Sequence, residues 1–256
     1  MLRPLMNAGL TSLWLLILGI HATSARCETV EMNPIADTFV SSTQPNGNFG
    51  SAGVIAISAP GLPLGEFQSV IRFDTSTAKA AFDLVYGIGN WSIQGIGLRG
   101  TAGAPNNPIF NPSAAGQIRI HWMQNDSWTE GTGTPSTPGT VGLTFASLPA
   151  WLAPADEDLG SFNSNGSTSG TSTVSLGLMP GIIADLSSGS PASLRLFAAD
   201  PAVSALFRSR SYAIATERLV LAITAVPEPF VWAGFMAFAP FLLAREGSRR
   251  PLRIRK

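Results

Sequence analysis

The apolar positions of this chain fall into three zones. Residues 10–20 (LTSLWLLILGI) form one unbroken run, residues 230–244 (FVWAGFMAFAPFLLA) form another, and the long middle alternates. Gln117-Ile118-Arg119-Ile120-His121-Trp122-Met123 puts Ile118, Ile120 and Trp122 on one side, and Ser193-Leu194-Arg195-Leu196-Phe197 repeats the pattern. Successive strand side chains point to opposite faces, so a period of two in β-branched and aromatic residues predicts half-buried strands. The same reading predicts strands over 36–40, 54–58, 68–73, 91–99, 117–123, 142–145, 173–178, 193–198, 205–210 and 218–224. Turn residues separate them: Gln44-Pro45-Asn46-Gly47-Asn48, Pro60-Gly61-Leu62-Pro63, Pro105-Asn106-Asn107-Pro108 and the stretch 131–139. Helices are predicted over 76–82 and 179–186. The Ser/Gly/Asn/Thr stretch 161–173 predicts a mobile surface loop. About ten short strands in one body predict an all-β fold, a jelly-roll-like β-sandwich.

Composition narrows the function classes. Only 12% of the 256 residues are charged, while Gly (26) and Pro (19) are abundant. That excludes a coiled coil or a basic-faced nucleic-acid binder, so no nucleic-acid partner is expected. One Cys (Cys27) and two His (His21, His121) leave no material for a disulfide framework or a Cys/His metal site. The net charge of +0 hides an asymmetry, since basic residues crowd both ends while the middle, 28–225, holds eight basic residues against fourteen acidic ones. An acidic body flanked by basic, apolar ends suggests targeting segments around a globular domain.

Arg3, the run 10–20 and the small residues Thr23-Ser24-Ala25 make the tripartite pattern of an export signal cleaved after Ala25. The alternative is an uncleaved anchor or a buried helix. Arg26 stands where a lipoprotein signal needs a small residue, which argues against lipidation of Cys27. At the other end, Val226-Pro227-Glu228-Pro229 precedes the run 230–244 and a tail rich in Arg. As a helix the run would reach about 22 Å, short for a hydrocarbon core of roughly 30 Å, and Pro240 weakens it further. The basic tail would remain cytoplasmic and the middle would lie outside, in agreement with the export signal.

Val226-Pro227-Glu228-Pro229, an apolar segment opening near Trp232 and the Arg residues behind it resemble the PEP-CTERM sorting signal of exopolysaccharide-producing Gram-negative bacteria. The resemblance covers 226–250. It implies insertion in the inner membrane, recognition of Pro-Glu-Pro by an exosortase-type enzyme and delivery to the cell surface or matrix. Pro240 and the long tail 246–256 depart from the pattern and weigh against efficient processing. The alternative is a plain tail anchor behind a Pro-rich linker. The expected organisation is a signal peptide (1–25), a body (28–225) and a sorting signal (226–256) with a membrane segment at 230–244.

The body carries a second resemblance. Ala36-Asp37-Thr38-Phe39-Val40, Asn46-Gly47-Asn48-Phe49-Gly50, Ile71-Arg72-Phe73-Asp74, Ser127-Trp128-Thr129-Glu130-Gly131 and Ser209-Arg210-Ser211 occur in the order found in DNRLRE-type domains. These are extracellular β-sandwiches akin to carbohydrate-binding modules. The resemblance implies contact with extracellular polysaccharide. Phe82 to Asn90 replaces the Pro-containing link that the family places after its third strand.

Little catalytic chemistry is available. No Gly-x-Ser-x-Gly, His-Glu-x-x-His or phosphate-loop pattern occurs. Asp126 and Glu130 flank Trp128 and are the best carboxylate pair for a glycosidase, which needs two such groups about 5–10 Å apart. The alternative makes Trp128 a core residue and Glu130 a hydrogen-bond acceptor in a turn. Asp126, Trp128, Glu130 and Trp151 are the candidate glycan contacts, Trp151 being the tryptophan expected to be most exposed. Asp156-Glu157-Asp158 offers hard oxygen ligands for a structural calcium, against the simpler reading of a solvated acidic loop. No organic cofactor is expected. The sequence favours a non-enzymatic, exported surface or matrix protein. A hydrolase or lyase on the same sandwich, or a membrane-retained adhesive domain, are the alternatives.

Overall fold

The computed structural model describes residues 26–228 of the 256. The export segment 1–25, Pro229 and the apolar run 230–244 lie outside the described residues. Eleven strands, two helices and two short 3-10 turns follow in order: β1 (Glu28–Met32), β2 (Pro34–Ser41), β3 (Val54–Ser58), β4 (Phe67–Asp74), α1 (Ser76–Tyr86), β5 (Trp91–Gly103), β6 (Gly116–Met123), a turn at Leu148–Trp151, β7 (Glu157–Ser164), β8 (Thr171–Leu176), α2 (Pro180–Ser188), β9 (Pro191–Ala198), β10 (Ser204–Arg208), a turn at Ala215–Glu217 and β11 (Val220–Pro227). Among the described residues no helix is long and apolar enough to cross a membrane.

Every strand pairing is antiparallel, and together they make one curled sheet. Its path runs β1-β11-β5-β10-β3-β4-β9-β6-β7, with β2 added on β4 and β8 on β5. The long β5 is the pivot. It pairs with β11 and β8 along most of its length, and with β10 through Ala102 and Gly103 at its far end.

The alternation in the sequence becomes the core. Ile118, Ile120 and Trp122 of β6 lie opposite Ala198, Leu196 and Leu194 of β9. The curl brings them onto Leu98 of β5, Leu221 and Ile223 of β11, and Phe82 and Ile182 from the two helices. Two further clusters stand beside this one. Phe39, Phe49, Phe67 and Phe110 pack ring on ring, Phe39 and Phe49 stacked at 4.3 Å. Trp128, Leu143 and Leu148 come from the long segment between β6 and β7 and cover Val40, Val70 and Met123.

Three sequence readings change. The predicted strand at 142–145 is a loop: Leu143 is buried where that long segment packs on the sheet, but Gly142 has φ +104° and the Leu143 N–H goes to the Thr129 carbonyl, 2.8 Å away. The low-complexity stretch 161–173 is mostly strand, its ends belonging to β7 and β8. The alternation of β7 was hidden by a bulge at Gly160 (φ +113°), where the register with β6 shifts. Finally, the last strand does not stop at 224 but runs past the expected end of the body at 225. Val226 and Pro227 pair with Ser92 and Trp91, and the Glu228 N–H donates to the Asn90 carbonyl at 2.9 Å.

Ile120 is fully buried between β7 and β9. Ile120→Ala should cost about 2–5 kcal/mol through lost burial and the cavity left behind. Arg119→Ala on the outer face should change stability by less than about 0.5 kcal/mol. Urea denaturation of the two variants checks the contrast.

Candidate functional site

The family-like motifs, spread over some 170 residues, meet in one place. Asp37 on β2 is buried and accepts the backbone N–H of Arg210. Its own N–H donates to Glu130 Oε1 at 2.9 Å. The Arg210 guanidinium closes the ring by donating to both carboxylate oxygens of Glu130, from Nε at 3.1 Å and from Nη2. Beside it, Asn48 is fully buried and holds the loop segment with its side chain: Nδ2 donates to the carbonyls of Glu130 (2.6 Å) and Leu143 (2.8 Å), and Oδ1 accepts the Gly50 N–H (3.1 Å). The loop passes so close that a Cβ at Gly133 would stand 1.8 Å from the Asn48 carbonyl oxygen. Arg72 completes the set, donating to the carbonyls of Asp126 and Trp128 while its guanidinium lies 4.9 Å from the centre of the Trp128 ring.

This geometry corrects the candidate glycan contacts. Trp128 is 1% exposed and its indole N–H donates to Ser193 Oγ at 2.9 Å, so neither ring face is open to a ligand. Glu130 is spent on Arg210 and on Asp37. Trp151 lies half-buried against the Leu143–Leu148 cluster. Asp126 has Ser193 and Arg72 beside it, and its charge acts on Asp185. Burial pushes Asp126 above the usual carboxylate range, against the hydrogen bond from Ser193 and the charge of Arg72. Burial also pushes Asp185 up to about 6, opposed by the hydrogen bond from the Trp122 indole and reinforced by the charges of Asp126 and Glu157.

Nor do the three adjacent acids converge on a cation. Asp156 accepts the Gln124 and Ala153 N–H groups, Glu157 accepts the Gly181 N–H at 2.8 Å, and Asp158 accepts the Gly160 N–H at 2.8 Å. Glu157 and Asp158 open β7, and strand alternation turns their side chains apart. Among the described residues no group of three metal-ligating side chains comes together. His121 lies edge-on to Phe197 at 5.0 Å, and burial holds its pKa below the ordinary value.

A concavity among the described residues, lined by hydroxyl, amide and aromatic groups, was not legible in the sequence. A cleft of about 300 Å³ opens between β10 and the segment that links the end of β7 to the start of β8. Phe162 and Phe207, 6.1 Å apart, supply apolar floor, and Asn163, Ser164, Asn165, Ser167 and Thr171 are among the hydroxyl and amide groups around it. Its lining contains no charged side chain. The signal was the Ser/Asn/Gly/Thr composition of 161–173, which reads as a featureless loop until the bulged strand places it.

No family model matches this chain, and no curated protein matches it. Among solved structures, it is similar to a chain of Desmodium yellow mottle tymovirus at 7% identity, over 82% of this chain and 93% of that one, with a TM-score of 0.22. It is also similar to E. coli ycfD at 9% identity, over 94% of this chain and 62% of that one, with a TM-score of 0.14. At these scores neither likeness bears on fold or chemistry.

Two consequences follow for stability. Asn48→Ala would leave buried carbonyls and N–H groups without partners and should cost about 2–3 kcal/mol. Burial raises the Asp37 carboxyl from 3.8 to about 7, against the hydrogen bond from the Arg210 N–H. The folded chain therefore keeps that proton where the unfolded chain has released it. Asp37 makes the fold less stable as pH rises from about 4 to about 7, with no further change above. Denaturation measured across that window should show a shallower decline in Asp37→Asn than in the parent.

Proposed function

We propose that the chain is an exported, non-enzymatic protein of the cell surface or exopolysaccharide matrix, sorted through Val226-Pro227-Glu228-Pro229 and binding neutral polysaccharide in the cleft beside β10. The convergence of Asp37, Asn48, Arg72, Glu130 and Arg210 supports reading the curled sheet as a DNRLRE-like sandwich, since residues scattered along the chain share one structural task. In that reading the membrane segment 230–244 holds the chain in the inner membrane with its C-terminus in the cytoplasm until an exosortase-type enzyme acts.

The observation that carries this reading is the placement of exit and cleft. The chain leaves the sheet at Glu228, beside Asn90 and the start of β5. The cleft lies at the other end of the same strand, where Ala102 and Thr171 line it or pair beside it. Thirteen strand residues, up to about 40 Å, separate the two. A tether at one end thus presents the cleft outward. Neutral hydroxyl and amide groups over aromatic rings suit an uncharged sugar, which offers hydroxyls and apolar ring faces but no ion pair.

Affinity electrophoresis of the full chain against neutral and uronate polysaccharides tests this. Retardation by a neutral polysaccharide is expected, weakened roughly tenfold, the equivalent of about 1.4 kcal/mol, in Asn163→Ala/Asn165→Ala. Mobility unchanged by every polysaccharide would overturn the binding reading.

One observation favours the enzymatic alternative. Asp185, raised to about 6 by burial and by the charges of Asp126 and Glu157, has the poise of a general acid. Release of reducing sugar from a polysaccharide panel, abolished by Asp185→Asn, would establish it.

A further inference from the structure

The end of the body where the chain exits is unusually apolar. Leu84 and Val85 on the last turn of α1, and Ile88 in the turn after it, are 87%, 53% and 83% exposed. The inward face of α1 is already satisfied by Ala78 and Phe82 in the core. These three side chains are exposed and no described residue covers them, on one short stretch of chain.

Both exits from the body lie beside them. The Tyr86 hydroxyl is within hydrogen-bonding distance of the Arg26 carbonyl (2.6 Å) and of the Ala225 carbonyl (3.1 Å), so α1 touches the first described residue and the last strand at once. Ile88 is two residues from Asn90, whose carbonyl holds the Glu228 N–H. The apolar run begins at Phe230, two residues beyond Glu228, a reach of at most about 7 Å. A bilayer that takes up 230–244 must then lie against this end of the body.

We infer that Leu84, Val85 and Ile88 form a membrane-docking edge that seats the body on the lipid surface with β5 pointing away from it. The occupant is the interfacial region of the bilayer. Apolar side chains beside a polar helix face bury there, and the gain scales with apolar area removed from water. The tether supplies high effective concentration, so three side chains suffice where they would not hold a free domain. This inference rests on the proposed membrane insertion of 230–244, and it adds an orientation that the tether alone does not impose.

The full chain with Cys27→Ser removes the single native thiol and allows an environment-sensitive nitrobenzoxadiazole probe at one introduced cysteine. Ile88→Cys, Ser167→Cys and Ala237→Cys place it at the proposed edge, at the cleft end and within the apolar run. Each labelled protein is reconstituted in phosphatidylcholine vesicles containing a spin-labelled lipid. Quenching is expected at 237 and at 88, and none at 167. Adding Leu84→Glu/Val85→Glu should abolish the quenching at 88 and leave that at 237 intact. Quenching at 237 without quenching at 88, or quenching at 88 that survives the two glutamates, would overturn the docking edge alone. No quenching at 237 would overturn the insertion and the docking edge with it.

Discussion

The pairing of β11 with β5 is the constraint on which the molecule turns. Eight residues of β11, Val220 to Pro227, lie in register with Arg99 back to Trp91, with a single bulge at Thr224/Ala225. Because β5 continues beyond Arg99 to join β10 and border the cleft, the register of this one pair sets where the chain leaves and where the concavity opens. The inward residues Leu221, Ile223 and Ala225 then bury against the rest of the curled sheet. A slip of one residue would turn all three outward. The placement of chain exit and cleft is thus enforced by the same burial that holds the sheet together.

The residues with the most chemical potential are used to build. A carboxylate pair, two arginines, a buried asparagine and a tryptophan could furnish an active site. Here Glu130 and Asp37 tie β2 to the segment after β10, Asn48 pins the loop over the sheet, and Arg72 props the backbone at Asp126 and Trp128. A long segment with little regular structure needs such ties, because its backbone groups have no ladder to satisfy them. The proposed recognition falls instead to unremarkable residues, Ser, Asn and Thr between β7 and β8, whose small polar groups suit a neutral ligand.

Strands with strict alternation were legible. The patterns at Ile118–Trp122 and Leu194–Phe197 became the neighbouring strands β6 and β9, where Ile118, Ile120 and Trp122 lie opposite Ala198, Leu196 and Leu194. The failures have physical causes. β1 carries two glutamates on an edge, where charge is tolerated and the apolar signal is thin. β7 lost its period at Gly160, which sets Leu159 and Phe162 three residues apart rather than two. Leu143 looks like a strand residue because an irregular segment buries it against the sheet. Of the site, the tryptophan and carboxylates drew attention by residue type, yet burial and ion pairing had claimed Trp128 and Glu130. The cleft depends on a bulged strand meeting a distant one, and no local pattern records that meeting.

Hydrogen exchange of the full chain, read by mass spectrometry over 219–228, tests the central claim most directly. If β11 is locked on β5 to its end, the Glu228 amide and those of the preceding strand residues exchange far more slowly than in an unstructured peptide. Fast exchange at Ile223, with protection elsewhere in the core, would mean that the last strand is not held, and neither the exit nor the orientation built on it would stand.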